Sequence, residues 1–230
     1  MTKRTLPSPE KFASCPYDGN ILSYYEDQFE AVYVLLYPFL KPTTLSPERF
    51  CPETYPSKPE IISGCKKVSW QEVIELTSFN DISEVDIGLK TGIGGLRKEL
   101  CNKSSVKEID NLFENKSIIE PVEGDIPEIL QNDLFGAIKS LGHNWLWVGD
   151  EHGMVRKLHW IDDLFDKNEL LTHCNVFTHD HSLLLTTHWD SHFSFLCSSK
   201  QNIENILKKY EFEGFYCTAN TEVYWSTCKI

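Results

Sequence analysis

The sequence predicts an α+β protein, in which a helical N-terminal half packs on a C-terminal antiparallel sheet of hairpins with one helix inserted. Helix caps and helical spacing of apolar residues concentrate before Gly142, whereas short apolar runs separated by turn residues follow it. A run of helices followed by a run of hairpins is typical of this class. We therefore expect a mainly helical region at 1–142 and a β-rich region at 143–230, as two domains or as one integrated domain.

The first half contains four predicted helices and a proline-rich loop. Apolar residues recur at helical spacing across residues 24–37, and Pro38 would end that helix. Six of the eleven prolines lie at 38–59, which predicts an extended surface loop. Ser69 and Glu72 match a capping box that opens a second helix. Two more helices are predicted at 104–113 and 126–141.

The second half contains the predicted strands. Runs at 145–148 and 154–158 are joined by a loop with glycine at both ends, as in a hairpin. Apolar runs at 174–178, 183–189 and 192–198 continue the sheet. Residues 200–210 read as a single amphipathic helix. A last hairpin is predicted to join 212–218 to 222–227, again from apolar runs and an intervening polar turn.

Composition excludes several classes of protein. The formal charge of −12 and the pI near 5.1 disfavour binding to nucleic acid, which requires a basic face. The longest apolar stretch, residues 31–40, is about half the length needed to span a bilayer and contains Pro38. No apolar run follows the positive N-terminus, so we expect a soluble cytoplasmic protein. Eight scattered cysteines without a CxxC pair are typical of reduced, buried thiols.

The most informative feature is the crowding of all eight histidines between residues 143 and 192. They bunch again as His179-Asp180-His181 and as His188-Trp189-Asp190-Ser191-His192. If residues 183–198 form a hairpin that turns at 190–191, the last two histidines lie on opposite faces. If the strand instead runs straight, two imidazoles and one carboxylate project from one face.

Only the straight strand predicts a metal site, with a divalent ion such as Zn or Fe. A further histidine would then come from elsewhere, for example His152, His159 or His173. A metal-dependent hydrolase or oxidoreductase is the functional alternative that this geometry supports. Histidines beside turns and small polar residues more often cap backbone groups, so the pattern favours a structural role. The candidate metal ligands are His188, Asp190, His192, His179 and His181.

A glycine-rich stretch at 88–95 precedes Arg97 and Lys98 and could hold an anion at a helix start. It matches neither the phosphate-binding loop of nucleotide hydrolases nor the dinucleotide-binding fingerprint. We therefore interpret it as a plain loop.

Tryptophan is concentrated in the second half, which contains five of the six tryptophans. Tryptophan is enriched in protein interfaces because its large ring is apolar and carries one polar group. We expect part of this set to form a binding face for a protein partner or a small molecule. The candidate residues are Trp145, Trp147, Trp189 and Trp225.

The stretch HWDSHFSFLCSSKQNIENILKKYEFEGFYCTANTEVYWS resembles the C-terminal signature of an uncharacterised family of small acidic bacterial proteins. The resemblance lies mainly in about the last ninety residues and implies no activity. By analogy alone, the order of hairpins and helix is similar to that of acidic immunity-type proteins, which bind and neutralise a partner. The sequence thus favours a non-enzymatic binding module, and its negative charge would steer it toward a basic partner.

Overall fold

The structure is a computed structural model that describes residues 8, 10–151, 153–165, 174–224 and 227–229. It confirms a mixed α+β protein built around a large antiparallel sheet. No helix in the described part of the chain is long and apolar enough to cross a membrane. The predictions for Trp225, His152 and His173 concern residues outside these ranges.

The helices are short to medium in length, and most of them precede the long strands of the second half. They are α1 (Ile21–Tyr24), α2 (Lys58–Gly64), α3 (Trp70–Leu76), α4 (Ile82–Gly92), α5 (Lys103–Lys116), α6 (Glu128–Ser140), α7 (Asp162–Phe165) and α8 (Lys200–Lys209). Single 3-10 turns lie at Lys11–Ala13 and Pro47–Arg49.

The strands occur along the whole chain. They are β1 (Gly19–Asn20), β2 (Ala31–Leu36), β3 (Phe39–Pro42), β4 (Cys65–Val68), β5 (Trp145–Asp150), β6 (Arg156–Trp160), β7 (Cys174–Thr178), β8 (Leu184–Thr186), β9 (Phe193–Ser198), β10 (Gly214–Tyr216), β11 (Glu222–Tyr224) and β12 (Thr227–Lys229).

Seven of these strands form the main sheet, in the order β10-β2-β9-β8-β7-β5-β6. Every neighbouring pair is antiparallel. Two small sheets, β1-β11-β12 and β3-β4, lie apart from it. The edges of the main sheet are therefore β10 and β6, and β6 belongs to the hairpin that carries two of the candidate tryptophans.

Helices cover both faces of the main sheet. On one face, β2 and β9 contribute Val34 and Phe195 to a core that includes Trp70 of α3 and Leu89 of α4. On the other face, residues of α6 and α8 pack on the alternate side chains of the same strands. The predicted arrangement, a helical half on one side of a sheet, is thus only partly correct.

The predicted helix at 24–37 is wrong. Only Ile21–Tyr24 is helical, and Ala31–Leu36 forms β2 between β10 and β9. The apolar residues at helical spacing belong to a strand that is buried on both faces, so its sequence is apolar at nearly every position rather than at alternate ones. A strand of the first half thus lies inside the main sheet, and the division of the chain at residue 142 stays a prediction.

Two further predictions, the last hairpin and the glycine-rich loop, are corrected by the structure. The predicted last hairpin does not form, because β10 pairs with β2, whereas β11 pairs with β1 and β12. The glycine-rich stretch is not a loop throughout: Gly88 and Gly92 lie inside α4, and the turn occupies only residues 93–95. Gly88 allows α4 and α5 to pack closely, because an added Cβ would lie only 3.2 Å from Ser105 of α5.

Most other predicted elements are confirmed. The capping box at the start of α3 is present, with the Glu72 amide donating to Ser69 Oγ at 3.0 Å and Glu72 Oε2 accepting from the Ser69 amide at 2.7 Å. Helix α6 ends before Gly142, which has a φ of +98°. The hairpin of β5 and β6 and helix α8 lie where the sequence predicts them.

Replacement of Phe195 tests the core between the sheet and α3–α4. Phe195 is buried on β9, so Phe195→Ala should lower the free energy of unfolding by about 3–5 kcal/mol. Leu76→Ala, at a partly exposed position of α3, should cost less than about 1 kcal/mol. Urea unfolding of both variants checks this, and equal losses would contradict the described core.

Candidate functional site

The histidines at 188 and 192 lie on a hairpin turn. Pairing of β8 with β9 sets Leu184 opposite Cys197 and Thr186 opposite Phe195, and this register, extended along both segments, is centred on residues 190–191. The turn closes with the Ser191 amide donating to the His188 carbonyl at 3.0 Å. The hairpin alternative is confirmed, and the straight strand that a two-histidine, one-carboxylate site needs is not formed.

The other two candidate histidines lie at the opposite end of β8, in the turn after β7. His179 Nδ1 accepts a hydrogen bond from Trp147 Nε1 at 3.3 Å. The His181 ring stacks on Phe12, with ring centroids 3.7 Å apart and planes 5° apart. His179 therefore contacts an aromatic side chain of the sheet and His181 one of the 3-10 turn at Lys11–Ala13, and neither contact involves the 188–192 turn.

The structure therefore does not bring the five candidate metal ligands together. The two pairs of histidines are separated by the length of β8, and Asp190 accepts a hydrogen bond from Trp189 Nε1 at 2.7 Å. Among the described residues, no three His, Cys, Asp or Glu side chains lie close enough to hold a metal ion. The five described side chains on which the metal-dependent enzyme alternative rests therefore do not form one ligand set.

The 188–192 turn instead packs against α4 and the turn that follows it. Gly95 lies so close to Asp190 that an added Cβ would be 3.1 Å from that residue's Cβ. Helix α4 also places Asp86 and Lys90, one helical turn apart, in the interior near His192. The glycine-rich and histidine-rich stretches, which the sequence treats as separate features, thus meet in space.

Asp86, Lys90 and His192 form a buried polar cluster. Their exposed fractions are 2%, 0% and 1%, respectively. Lys90 Nζ lies 3.1 Å from Asp86 Oδ2 and 4.7 Å from the centre of the Phe193 ring. His192 Nδ1 has no hydrogen-bond partner among the described residues. Asp86 and Lys90 could not be identified from sequence, since nothing in a charged pair at i and i+4 distinguishes a buried helix face from a solvated one.

The charges of this cluster follow from its burial. Burial, together with the positive charge of Lys90, lowers the pKa of His192 to about 3, so the imidazole is neutral near pH 7. Burial raises the pKa of Asp86, and the neighbouring ammonium group of Lys90 opposes that rise. Because solvent does not reach the three side chains, the cluster can stabilise or destabilise the fold but cannot receive a ligand without opening.

A second set of buried polar side chains also could not be identified from sequence. Tyr37, Thr187 and Ser194 form a closed ring of hydroxyl groups, with oxygen–oxygen distances of 2.6, 2.6 and 2.7 Å. Burial raises the pKa of Tyr37, so its hydroxyl remains protonated. The ring satisfies these three hydroxyl groups and joins β9 to the residues that follow β8 and β2.

The tryptophans of the hairpin form an exposed surface. Trp145 lies opposite Trp160, and Trp147 opposite Leu158, so all four side chains share one face of β5 and β6. The rings of Trp145 and Trp160 lie 5.0 Å apart with planes at 72°. Trp145 is 48% exposed and Leu158 is 39% exposed. We call these four residues the tryptophan face.

Of the tryptophans predicted for the binding face that the structure describes, two lie on the tryptophan face. Trp145 and Trp147 lie together, but Trp189 lies on the 188–192 turn, where its ring centroid is 5.3 Å from that of Tyr17. Trp160 and Leu158, which the prediction omitted, take its place on the surface. Leu158 and Trp160 are two residues apart, so they share a face if the strand predicted at 154–158 extends to residue 160. This spacing is the signal that could have identified them.

The fold and these sites define a mixed α+β protein with a buried polar cluster and an exposed aromatic hairpin. The chain belongs to DUF2711, a family described as proteins of unknown function, which it matches over residues 17–227. It is 22% identical to the uncharacterised protein YwbB of Bacillus subtilis (strain 168) over 177 aligned residues. The aligned region covers 74% of this chain and 77% of YwbB. No solved structure matches the chain. The resemblance to an uncharacterised bacterial family is confirmed.

The pKa of His192 predicts a pH dependence of stability. The folded-state pKa, about 3, lies below the unfolded value near 6.5, so the unfolded chain binds the proton first. Stability from this residue is complete above about pH 6.5 and is lost as the pH falls toward 3, by about 1.4 kcal/mol per pH unit. His192→Gln removes this contribution. Urea unfolding between pH 7 and 4 should show a shallower loss in the variant, and parallel curves would contradict it.

The buried ion pair predicts a non-additive double variant. Asp86→Ala leaves Lys90 charged in the core and should cost about 3–5 kcal/mol. Asp86→Leu combined with Lys90→Met replaces both charges with apolar groups and should be close to neutral. Thermal and urea unfolding of Asp86→Leu, Lys90→Met and the double variant complete a double-mutant cycle. A double variant as unstable as Asp86→Ala would show that the two charges have a separate role.

Proposed function

We propose that this protein is a non-enzymatic binding module whose tryptophan face holds a protein partner. The observation that carries the proposal is the exposure of Trp145 and Leu158 beside Trp147 and Trp160, on a hairpin at the edge of the main sheet. A contiguous apolar surface on a folded protein is typical of an interaction site, and tryptophan is enriched among the residues that contribute most to binding.

The packing of the hairpin supports this proposal. On its opposite face, Leu146 and Val148 are buried in the core that includes α6 and α7, so the hairpin is anchored from one side. Trp147 touches the edge of the other core and stacks on His179, with ring centroids 6.4 Å apart. A rigid backbone holds the aromatic side chains in place before binding, which reduces the entropy that association would otherwise cost.

The tip of the hairpin also exposes apolar side chains. Met154 and Val155 are among the most exposed large apolar side chains of the described chain. Next to them, Arg156 extends over the rings of Phe12 and Phe177, with its guanidinium carbon 5.6 and 5.5 Å from the ring centroids, and pairs with Glu10. This contact separates the tryptophan face from the covered part of the sheet and gives the face a polar rim, as interfaces generally have.

The net charge of this protein indicates what kind of partner would bind. The net charge of −12 favours a basic partner by steering the encounter, while the aromatic face supplies the contact area. We expect the encounter to take place in the cytoplasm and without nucleic acid. The tryptophan face, not the histidine turn, is the part of the molecule that the proposal assigns to binding.

Replacement of the tryptophan face tests the proposal. Trp145→Ser with Leu158→Ser removes the two most exposed residues of the face and should weaken partner binding by about thirtyfold or more, as loss of a central aromatic contact does. The matched control is Leu76→Ser with Leu100→Ser, which changes two comparably exposed apolar residues elsewhere. Circular dichroism verifies that both double variants are folded.

The measurement has two stages. Affinity capture from an extract of the encoding organism identifies proteins retained by the wild type and by the control but not by the tryptophan-face variant. Isothermal titration with the purified candidate then gives the affinity for each form. A candidate that binds all three forms equally would overturn the proposal, as would a wild type that retains nothing beyond what the tryptophan-face variant retains.

A further inference from the structure

Strand β6 is an edge of the main sheet with a regular backbone. Among the described strands, its only neighbour in the sheet is β5, and its first three residues are exposed. The strand pairs with β5 along all five of its residues without a bulge, and it contains no proline. Bulges and prolines are common means by which an edge strand avoids the addition of a further strand. β6 has neither of these protections.

The hydrogen bonds that flank β6 show which of its backbone groups point outward. The Asp150 amide donates to the Val155 carbonyl at 3.0 Å, and the Ile161 amide donates to the Asn144 carbonyl at 2.9 Å. In an antiparallel pair, residues that bond across alternate with residues whose groups point away. The second and fourth residues of β6 therefore bond toward β5, while the first, third and fifth point their N–H and C=O groups outward. These outward residues are Arg156, Leu158 and Trp160.

The outward edge borders the tryptophan face. The side chains of Leu158 and Trp160 belong to that face, and no hydrogen bond found in the described ranges uses their outward backbone groups. A row of N–H and C=O groups at strand spacing is matched by another extended backbone. The molecule that fits this edge is therefore one that offers a strand.

The charges near the two ends of β6 have opposite signs. Lys157 lies near the start of the strand and Asp163 just beyond its end, and both side chains are exposed. Neither takes part in an ion pair found in the described part of the chain. An antiparallel copy of the same strand turns its acidic end toward Lys157 and its basic end toward Asp163. β6 is thus complementary to itself when the second strand runs in the opposite direction, as a two-fold axis requires.

We propose that a second copy of this chain adds its β6 to this edge in a two-fold symmetric, antiparallel pair. With Leu158 opposite Leu158 of the second copy, all five residues of each strand pair and the outward groups bond across. The two-fold axis is perpendicular to the sheet, so corresponding faces of the two copies lie on the same side. The two tryptophan faces then join into one continuous aromatic surface. The dimer does not depend on the proposed function, to which it adds a second tryptophan face.

The size of the contact determines the expected affinity. A pair of five-residue strands buries less than the roughly 1,200–2,000 Å² of a stable interface, so we expect a weak dimer with a Kd of about 10–100 μM. The net charge of −12 on each copy repels the other at long range. At about 0.15 M salt this repulsion is screened beyond roughly 8 Å, so the measurements use that salt concentration.

Two measurements on the full chain, from about 5 to 500 μM, detect and locate the dimer. Sedimentation velocity should show a sedimentation coefficient that rises with concentration. Amide hydrogen exchange followed by NMR should show the amides of Leu158 and Trp160 gaining about fivefold protection over this range. The amides of Lys157 and His159, which bond to β5, should not change. This alternation identifies the β6 edge, since a dimer through another surface would not produce it.

Substitution of Leu158 by proline tests the outward N–H. Leu158→Pro removes a donor that points away from β5, so it should leave the bonds to β5 in place and abolish the dimer at about 500 μM. The matched control, Leu158→Val, keeps the donor and should dimerise like the wild type. Circular dichroism verifies folding. Leu158→Lys gives a second test if the proline variant does not fold, because two ammonium groups at the centre of the pair should weaken the dimer at least tenfold.

Trp145→Ser separates the dimer from the proposed function. Trp145 lies on β5, so this variant loses part of the tryptophan face but keeps every outward group of β6. It should therefore dimerise like the wild type while it binds a partner more weakly. A wild type that dimerises but retains no partner would refute the proposed function and leave the dimer in place.

Several results would overturn the dimer. A chain that stays monomeric at about 500 μM is one, and equal dimerisation by Leu158→Pro and the wild type is another. Protection of the Leu158 and Trp160 amides that does not change with concentration would assign the edge to another segment of the same chain. Protection that appears only after addition of a captured partner would assign the edge to a strand of that partner.

Discussion

The pairing of β2 with β9 and β10 is the constraint on which the rest of the structure depends. β2 comes from the first half of the chain, yet it pairs along all six of its residues with β9 and holds β10 on its other side. Its side chains point alternately into the two cores. Without it, β10 would have no partner strand and both helical layers would lose part of the sheet that they cover. Both cores therefore contain side chains of this one strand.

The same constraint explains where polar groups are buried. The hairpin of β8 and β9 runs through the middle of the sheet, so its turn, residues 188–192, emerges beneath α4 rather than into solvent. His192 is then buried, and α4 adds Asp86 and Lys90 to its surroundings. A buried ion pair and a neutral histidine cost solvation energy, which the surrounding apolar packing must offset. The free surface of the sheet lies at the other edge, on β5 and β6.

Predictions from sequence succeeded where the local pattern is sufficient. The capping box at Ser69 and Glu72, the helix stop at Gly142 and the glycine-flanked hairpin at 149–153 each depend on residues close in the chain. The hairpin register of the histidine motif was one of two predicted alternatives, and pairing with β9 decided between them. Residues 24–37 were predicted as helix because the spacing of apolar residues cannot distinguish a helix face from a strand buried on both sides.

The candidate sites show the same division. The sequence placed Trp145 and Trp147 on one strand, and therefore on one face, but could not bring in Trp160 and Leu158 without the register of β6. It grouped five possible metal ligands because they are close in sequence, whereas β8 separates them in space. The buried cluster of Asp86, Lys90 and His192 has no sequence signature, since its members are brought together by packing of α4 on the sheet.

By itself, the sequence determined the class of the protein, the positions of half of the helices and of most of the strands, and its negative charge. These depend on residue type, period and short-range capping, all of which act within a few turns of chain. Only the tertiary structure decided which strands are neighbours, which polar residues are buried and which aromatic residues remain exposed. Those properties depend on contacts between segments more than a hundred residues apart, such as β2 with β9, and no local pattern encodes them.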